Sequence, residues 1–225
     1  MSYTPARLPV LDASHPGFDP VRAAGFDAVR IEQVLRFYDE EHRCYHTRVH
    51  LREMLDTAFA LHLPPSAAQA LAILFHDAIY VPGAPRGSNE SMSAQLMRVL
   101  AGEKVDRDLL DAACGIVIDT AEHVARGAES ELVLDLDLLR LAVPAADFEL
   151  YSRQVFAEQR SLIPIAEVGQ AWHFFEERRL PFFQRLIERT AIYGVPRFYD
   201  KFEEVARSNL RDAIASVLPR TPHEV

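Results

Sequence analysis

The sequence lacks the features that mark several large classes of protein. It has only two cysteines in 225 residues, Cys44 and Cys114, which are too few for a disulfide framework and match no zinc-binding spacing. No apolar run approaches the roughly 20 residues of a membrane-spanning helix, and nothing at the N-terminus resembles a signal peptide. We therefore expect a soluble protein in a reducing compartment, the cytoplasm.

Positive charge is also scarce. The chain has 24 Lys and Arg against 33 Asp and Glu, which gives a formal net charge of −9. Such a chain has no electrostatic footprint for nucleic acid or for an anionic membrane surface. We therefore expect neither nucleic acid nor a membrane as a partner, and any site for a phosphate group must obtain its positive charge locally or from a metal ion.

Apolar residues are plentiful, at 49%, and recur mainly at helical spacing, which is enough for one sizeable core. Residues 131–143 are ambiguous, because Leu132, Leu134 and Leu136 alternate as in a strand. We favour a helix there, since nothing nearby could pair with a strand. The pattern predicts an all-α, single-domain fold over residues 26–218, preceded by an extended, proline-containing lead-in over residues 1–25.

The adjacent pair His76-Asp77 stands at the end of a segment that is apolar on all faces. Burying an imidazole beside a carboxylate costs free energy unless each group has a partner, and a bound cation is one such partner. The alternative is a core histidine that bonds to a carbonyl oxygen, with Asp77 in the following turn.

Three further residues in apolar segments are candidate ligands: His50 at the start of a helix, and Asp135 or Asp137 in the leucine-rich segment. Neutral imidazole and carboxylate oxygen together suit a divalent cation such as Mn, Fe, Co, Ni, Zn or Mg. On spacing alone, either aspartate could be the ligand.

Five short blocks occur in order along the chain: YHTRVH at 45–50, FHDAIY at 75–80, NESMS at 89–93, TAEH at 120–123 and LDLDL at 134–138. Together they resemble the HD superfamily of metal-dependent phosphohydrolases, in the branch with the pattern YHxxxH, FHDxxY, NExxS, TxxH and DxDL. The resemblance covers about residues 30–215 and implies an HD-type helical bundle. It is specific for fold and metal and nearly silent on substrate.

The resemblance implies a ligand set of His50, His76, Asp77 and Asp137. His50 is preferred to His46 because the ligand imidazole in such proteins is followed by the apolar stripe of its own helix. Asp137 is preferred to Asp135 because the ligand is the second acid of the DxDL block.

Four other residues are candidates for catalysis: His46, Glu90, His123 and Arg48. His46 could contact the substrate or protonate a leaving group, and Glu90 could accept a hydrogen bond or a proton from the attacking water. His123 could reach the site from the end of its helix, and Arg48 is the nearest cation for a phosphate. Each also has a purely structural interpretation: a turn for His46, favourable helix-dipole positions for Glu90 and His123, and a solvated side chain for Arg48.

The sequence departs from the family pattern at two places. Phe156 stands where an arginine is expected before Ala157-Glu158, although Arg153 or Arg160 could replace that arginine. The loop at 81–87 is rich in proline, whereas an acidic loop is commoner in the family.

The resemblance implies an enzyme, a metal-dependent hydrolase of a phosphate ester that uses a metal-activated water. Its substrate would be a nucleotide or another small phosphorylated metabolite. Two alternatives remain open. The first is an HD-type di-iron oxygenase, for which His46, Glu90 and His123 would be the extra ligands. The second is a non-catalytic module that senses a nucleotide.

Overall fold

The computed structural model describes residues 10–217, and every regular element in that range is helical. The α-helices are α1 (Asp19–Ala23), α2 (Ala28–Leu35), α3 (Arg48–Ala60), α4 (Ala67–Phe75), α5 (Ser88–Ala101), α6 (Arg107–Thr120), α7 (Ala128–Asp137), α8 (Ala145–Gln159), α9 (Val168–Ile187) and α10 (Pro196–Val217). Short 3-10 helices cover Pro16–Phe18, Arg36–Asp39, Gly102–Lys104, Leu138–Ala142 and Arg160–Leu162. The predicted all-α fold is confirmed.

Helix α4 is the central element of the core. It begins with a capping box, in which the Ser66 hydroxyl accepts a hydrogen bond from the Gln69 amide and the Gln69 side chain accepts one from the Ser66 amide. All residues from Ala70 to Phe75 are buried, because α1, α2, α3, α6 and α7 pack around the helix. The residues that directly follow Phe75 therefore lie in the interior of the fold.

Residues 131–142 are helical, in agreement with the helix favoured for this segment, and continue from α7 into the 3-10 helix Leu138–Ala142. The strand-like alternation arises because α7 is buried on more than one side. Leu132, Leu134 and Leu136 are buried, and so are Val133 and Asp135 between them. A helix enclosed in this way by α3, α4 and α6 needs no polar face, so its sequence shows no clear helical period.

The expected extended lead-in over residues 1–25 is corrected where the structure describes it. Residues 1–9 lie outside the described range, but residues 16–23 are helical. Pro20 occupies the first turn of α1, where a missing N–H breaks no hydrogen bond. Phe18 and Val21 are fully buried, so this segment is part of the core. Position 218, where we placed the end of the domain, also lies outside the described residues.

The C-terminal part of the described chain contains α8, α9 and α10. Phe156, which replaces the expected arginine, packs its ring against Trp172 and Phe175 of α9 at centroid distances of 5.3 and 5.4 Å. Among the helices of residues 10–217, none combines the length and apolar content that a membrane crossing requires.

Candidate metal centre

Four side chains from three parts of the fold meet in the interior. His50 lies in the first turn of α3, His76 and Asp77 follow α4 directly, and Asp137 is the last residue of α7. One ligand atom from each lies within 4.8 Å of all the others. The structure therefore brings together the ligand set that the resemblance implied, and this group could hold a metal ion.

The spacing of the ligand atoms fits one cation. His50 Nε2 lies 3.2 Å from both His76 Nε2 and Asp137 Oδ1. His76 Nε2 lies 3.0 Å from Asp77 Oδ2 and 3.7 Å from Asp137 Oδ1. Ligands at about 2.0–2.2 Å from a cation, with bond angles of about 90–110°, are roughly 2.8–3.6 Å apart. The four groups need only small movements to share one ion.

Hydrogen bonds orient both imidazole rings. His76 Nδ1 lies 2.9 Å from the Ile73 carbonyl oxygen and donates to it, which leaves Nε2 as the ligand atom. His50 Nδ1 lies 3.2 Å from the hydroxyl of the buried Tyr45. The hydrogen bond from His76 to a carbonyl oxygen, which was the alternative to metal binding, is thus present. This bond turns the other ring nitrogen of His76, Nε2, toward Asp77 and Asp137.

The group has an excess of buried negative charge. Burial opposes protonation of His76, but the nearby Asp77 and Asp137 carboxylates raise its pKa to about 9. Burial likewise opposes ionisation of Asp77, yet His76 and His46 hold the Asp77 pKa below its usual range. Without a metal, a proton on His76 compensates the carboxylates. A divalent cation is the stronger compensating charge and displaces that proton when it binds.

Asp135 faces away from this group. Its carboxylate accepts hydrogen bonds from the Gly194 amide at 2.9 Å and the Val195 amide at 2.7 Å. Burial is the main reason that its pKa rises to about 7. Asp135 therefore fastens the loop between α9 and α10, and Asp137 is the aspartate that lies among the candidate ligands.

A cavity of about 180 Å³ opens beside Asp77 and Asp137. Its lining includes three of the predicted catalytic residues, His46, Glu90 and His123, and also Tyr45, Tyr80, Asn89, Thr120, Leu138, Arg140, Leu141, Tyr151 and Phe182. A donor set of two imidazoles and two carboxylates, open to a cavity on one side, can hold a cation and leave it accessible to a small ligand.

His123 touches the candidate ligands directly. Its Nε2 lies 3.0 Å from Asp137 Oδ2, the oxygen that does not face His50. Helix α6 ends at Thr120, earlier than the end near His123 that we expected. His123 itself has a φ of 50°, an uncommon conformation for a residue other than glycine. The bond to Asp137 and a 2.7 Å bond from Arg189 to the His123 carbonyl hold it there.

Glu90 lies in the first turn of α5 and lines the cavity. Burial raises its pKa, so the carboxyl group is less acidic than one in water. The side-chain oxygen of the neighbouring Asn89 accepts a hydrogen bond from the Val81 amide at 3.0 Å. This contact anchors the start of the loop at 81–87 to α5.

The role expected for Arg48 needs correction. Its guanidinium forms ion pairs with Asp39 at 2.6 Å and Glu32 at 2.8 Å, and donates to the Leu11 carbonyl at 3.0 Å. These partners belong to the N-terminal part of the fold. Among the described residues that line the cavity, the one arginine or lysine is Arg140.

Sequence reasoning missed Arg140, although a signal was available. It stands three residues after Asp137, a separation that places two residues on the same side of a helical segment. Its guanidinium is bonded through both Nε and Nη2 to the Glu53 carboxylate, with an Nε–Oε2 distance of 2.9 Å. The arginines that we considered as replacements at position 156 are engaged elsewhere: Arg153 with Glu149, and Arg160 with the carbonyls of residues 163, 165 and 166.

His46 lines the cavity from the turn that precedes α3. Its Nδ1 lies 2.7 Å from Glu158 Oε2, and its ring lies 4.1 Å from the Tyr80 ring. Burial lowers the pKa of His46, but the Asp77 and Glu158 carboxylates more than offset it and raise the pKa. Glu158, a residue of α8, was not predicted as part of the site.

No family model matches the chain, and neither a curated protein nor a solved structure matches it.

Proposed function

We propose that this chain is a metal-dependent hydrolase of a phosphate ester and a member of the HD superfamily. The observation that supports this most directly is the meeting of His50, His76, Asp77 and Asp137 beside a cavity that Asp77 and Asp137 line. Loops and helix ends from separate parts of the chain supply these groups, and a divalent cation would compensate the two buried carboxylates in place of the proton on His76.

These four residues would hold the ion, and their donor types suit a borderline or hard divalent cation. Such an ion supplies Lewis-acid chemistry, because it polarises a phosphoryl oxygen and makes a water molecule more acidic. Tyr45 and the Ile73 carbonyl keep the two imidazole rings turned toward it.

The chain's own residues supply the rest of the site. Arg140 provides positive charge at the cavity wall, and its bidentate contact with Glu53 keeps the guanidinium in one orientation. Glu90 offers a carboxylate with a raised pKa that can accept a proton from water. His123, bonded to Asp137 and held by Arg189, limits the movement of that ligand.

The cavity supports a small substrate. A volume of about 180 Å³ encloses a phosphoryl group and a few more atoms, and Tyr80, Tyr151 and Phe182 form apolar walls around it. We propose a nucleotide or another small phosphorylated metabolite; the base of a nucleotide would have to lie at the cavity mouth.

One observation supports a second candidate, a di-iron oxygenase. The two carboxylate oxygens of Asp137 face different histidines, with Oδ1 toward His50 and Oδ2 toward His123. Asp137 and His123, together with Glu90 and His46 of the same cavity, would then hold a second ion, and the two irons would supply dioxygen chemistry. Two irons per chain and a coloured protein would favour this candidate.

The test combines metal analysis of the purified protein with a phosphate-release screen in Mn²⁺, Co²⁺, Zn²⁺ and Mg²⁺. We expect about one divalent ion per chain, and release of phosphate from small phosphomonoesters that stops on chelation. Bound metal without phosphate release from a broad panel would refute the hydrolase and favour a module that senses a nucleotide.

A further inference from the structure

An ion pair ties the loop at residues 81–87 to the chain that follows α6. Arg86, near the end of the loop, pairs through its Nη2 with the Glu122 carboxylate. Glu122 stands directly before His123, which lines the cavity. The residues that flank the loop line the same cavity: Tyr80, Asn89 and Glu90. The ion pair therefore joins two walls of the cavity.

Part of the cavity mouth lies on this side. The lining residues next to the loop and next to Glu122 are partly exposed: Tyr80, Asn89, Glu90 and His123. Other lining residues form the buried floor: Tyr45, Thr120, Leu138 and Leu141. The side chains of Arg86 and Glu122 are 54% and 41% exposed. Arg86 is therefore a cation at the rim of the cavity.

The backbone of the loop is held in place, which keeps Arg86 near the rim. The Asn89 side chain accepts from the Val81 amide at 3.0 Å and donates to the Val81 carbonyl at 3.3 Å. The middle of the loop approaches Leu162 so closely that a Cβ on Gly83 would lie 2.7 Å from Leu162 Cδ1. The start and the middle of the loop are thus fixed by packing, whereas the Arg86 guanidinium is held by an exposed ion pair.

Arg86 can exchange this partner at little cost. An exposed ion pair favours its closed arrangement by no more than about fivefold, because both side chains are well solvated when apart. A guanidinium binds a carboxylate or a phosphate through two parallel N–H bonds, so either group can replace the Glu122 carboxylate. Arg140, the cation inside the cavity, is instead bonded through two nitrogens to Glu53.

We propose that Arg86 is a specificity-determining residue, which binds a second anionic group at the far end of the ester's alcohol part. This inference rests on the proposed phosphohydrolase function. The cavity of about 180 Å³ encloses little more than the phosphoryl group, so the rest of the ester reaches the mouth. The chain has a net charge of −9, so a cation at the mouth has a strong influence on which anionic esters bind. Arg86 pairs with Glu122 without substrate and with the second anion when substrate binds.

The main experiment measures binding without turnover. Phenylphosphonate and 4-phosphonobenzoate share a ring and a phosphonate group, whose P–C bond is not an ester, and differ in a carboxylate at the far end. Calorimetric titration of the Mn²⁺-loaded protein gives both Kd values. The readout is the Kd of phenylphosphonate divided by that of 4-phosphonobenzoate, which cancels effects on the metal or the phosphonate. The same ratio with 1,4-phenylenediphosphonate distinguishes a second phosphate from a carboxylate.

Arg86→Gln should lower this ratio about fivefold, the scale of an exposed ion pair. Glu122→Gln should raise the ratio, because the competing carboxylate is gone. Adding Arg86→Gln to Glu122→Gln should cancel that rise, since the second anion then has no guanidinium to bind. In the parent protein the ratio should fall with rising salt, which screens exposed charges.

Arg98→Gln is the matched control. Arg98 pairs with Asp111, and their side chains are 43% and 51% exposed, so the substitution removes the same charge from a similar ion pair. Arg98 and Asp111 stand eight and nine residues from Glu90 and Thr120 of the cavity, which is roughly 12 Å or more along each helix. Arg98→Gln should leave the ratio unchanged.

An unchanged ratio in Arg86→Gln, or an equal fall in Arg98→Gln, overturns the role of Arg86, and a fall in Glu122→Gln overturns the exchange of partners. Phosphate release from phenyl phosphate and 4-carboxyphenyl phosphate tests the hydrolase separately. If both esters stay intact but Arg86→Gln lowers the ratio, the hydrolase fails and the site for a second anion stands. If the esters are hydrolysed and Arg86→Gln leaves the ratio unchanged, the hydrolase stands and the inference fails. Binding of neither phosphonate to the Mn²⁺-loaded protein overturns both.

Discussion

Replacing Asp137 should abolish most of the stabilisation that a metal ion gives to this chain, whereas replacing Asp135 should not. Asp137 Oδ1 lies 3.2 Å from His50 Nε2 in the candidate metal group, and Asp135 instead accepts from the Gly194 and Val195 amides. Asp137→Asn and Asp135→Asn are the same chemical change two residues apart, so each variant is the control for the other.

The size of the effect follows from mass action. Metal at 1,000 times its dissociation constant stabilises the folded chain by about 4.1 kcal/mol. For a protein of this size each kcal/mol moves Tm by about 2–4 °C, which corresponds to a rise of about 8–16 °C. If Asp137→Asn weakens binding at least about 100-fold, the upper end of the loss when only a residue that supports a ligand is replaced, the same metal concentration contributes at most about 1.4 kcal/mol and about 3–6 °C.

Asp135→Asn should behave in the opposite way. One oxygen that accepts a buried backbone N–H is replaced by an NH₂ group, which costs about 1–3 kcal/mol. Its Tm without metal should fall, and the rise on adding metal should match that of the parent protein. The assay is a thermal melt of the three proteins, first after exhaustive chelation and then with added Mn²⁺. A normal metal-induced rise in Asp137→Asn together with a reduced one in Asp135→Asn would show that the ligand is Asp135.

Three further predictions address the same region. The pKa of His76 is raised to about 9 from about 6.5 in the unfolded chain. Protonated His76 therefore stabilises the metal-free protein fully below pH about 6.5, and this stabilisation disappears as the pH rises through about 9. A metal ion must displace that proton, so the Mn²⁺-induced rise in Tm should grow between pH 6 and 9; a constant rise would contradict this account. His50→Ala should lower the metal content measured by elemental analysis, and His46→Ala should lower turnover while the metal remains; equal metal loss in both would identify His46 as a ligand. Arg140→Gln should raise KM for a phosphomonoester at least tenfold, whereas Arg48→Gln should lower Tm and leave KM unchanged. The reverse pattern would show that Arg48 is the cation that binds the phosphate.

Several assignments could be made from sequence because local signals carry them. The capping box at Ser66 and Gln69 marks the start of α4, and the apolar composition of α4 predicts its burial. His76 and Asp77 follow that helix directly, so their placement in the interior depends only on the chain continuing from Phe75. The position of Arg48 was also predictable. It stands two residues before His50 in α3, and two residues are about 200° apart around a helix, so Arg48 and His50 point to opposite sides.

Other assignments needed the packed structure. Asp135 and Asp137 also stand two residues apart in α7 and must face different ways. The resemblance implied Asp137, but the residue pattern alone does not show which side of the largely buried α7 meets the cavity. The packing of α7 against α3, α4 and α6 decides this. The helical segment at residues 16–23 was missed because its prolines suggested an extended chain, whereas burial of Phe18 and Val21 stabilises it.

The sequence by itself therefore determined the helical class and the residue types of a candidate metal centre, because periodicity, capping and chemistry act over a few residues. The tertiary structure decided which arginine lines the cavity and which carboxylate holds His46, and it supplied the physical reason why Asp137, the aspartate that the resemblance implied, lies among the candidate ligands. Glu158 lies 112 residues from His46 along the chain. No local pattern reports a hydrogen bond over such a separation, because it forms only when α8 packs against the turn before α3.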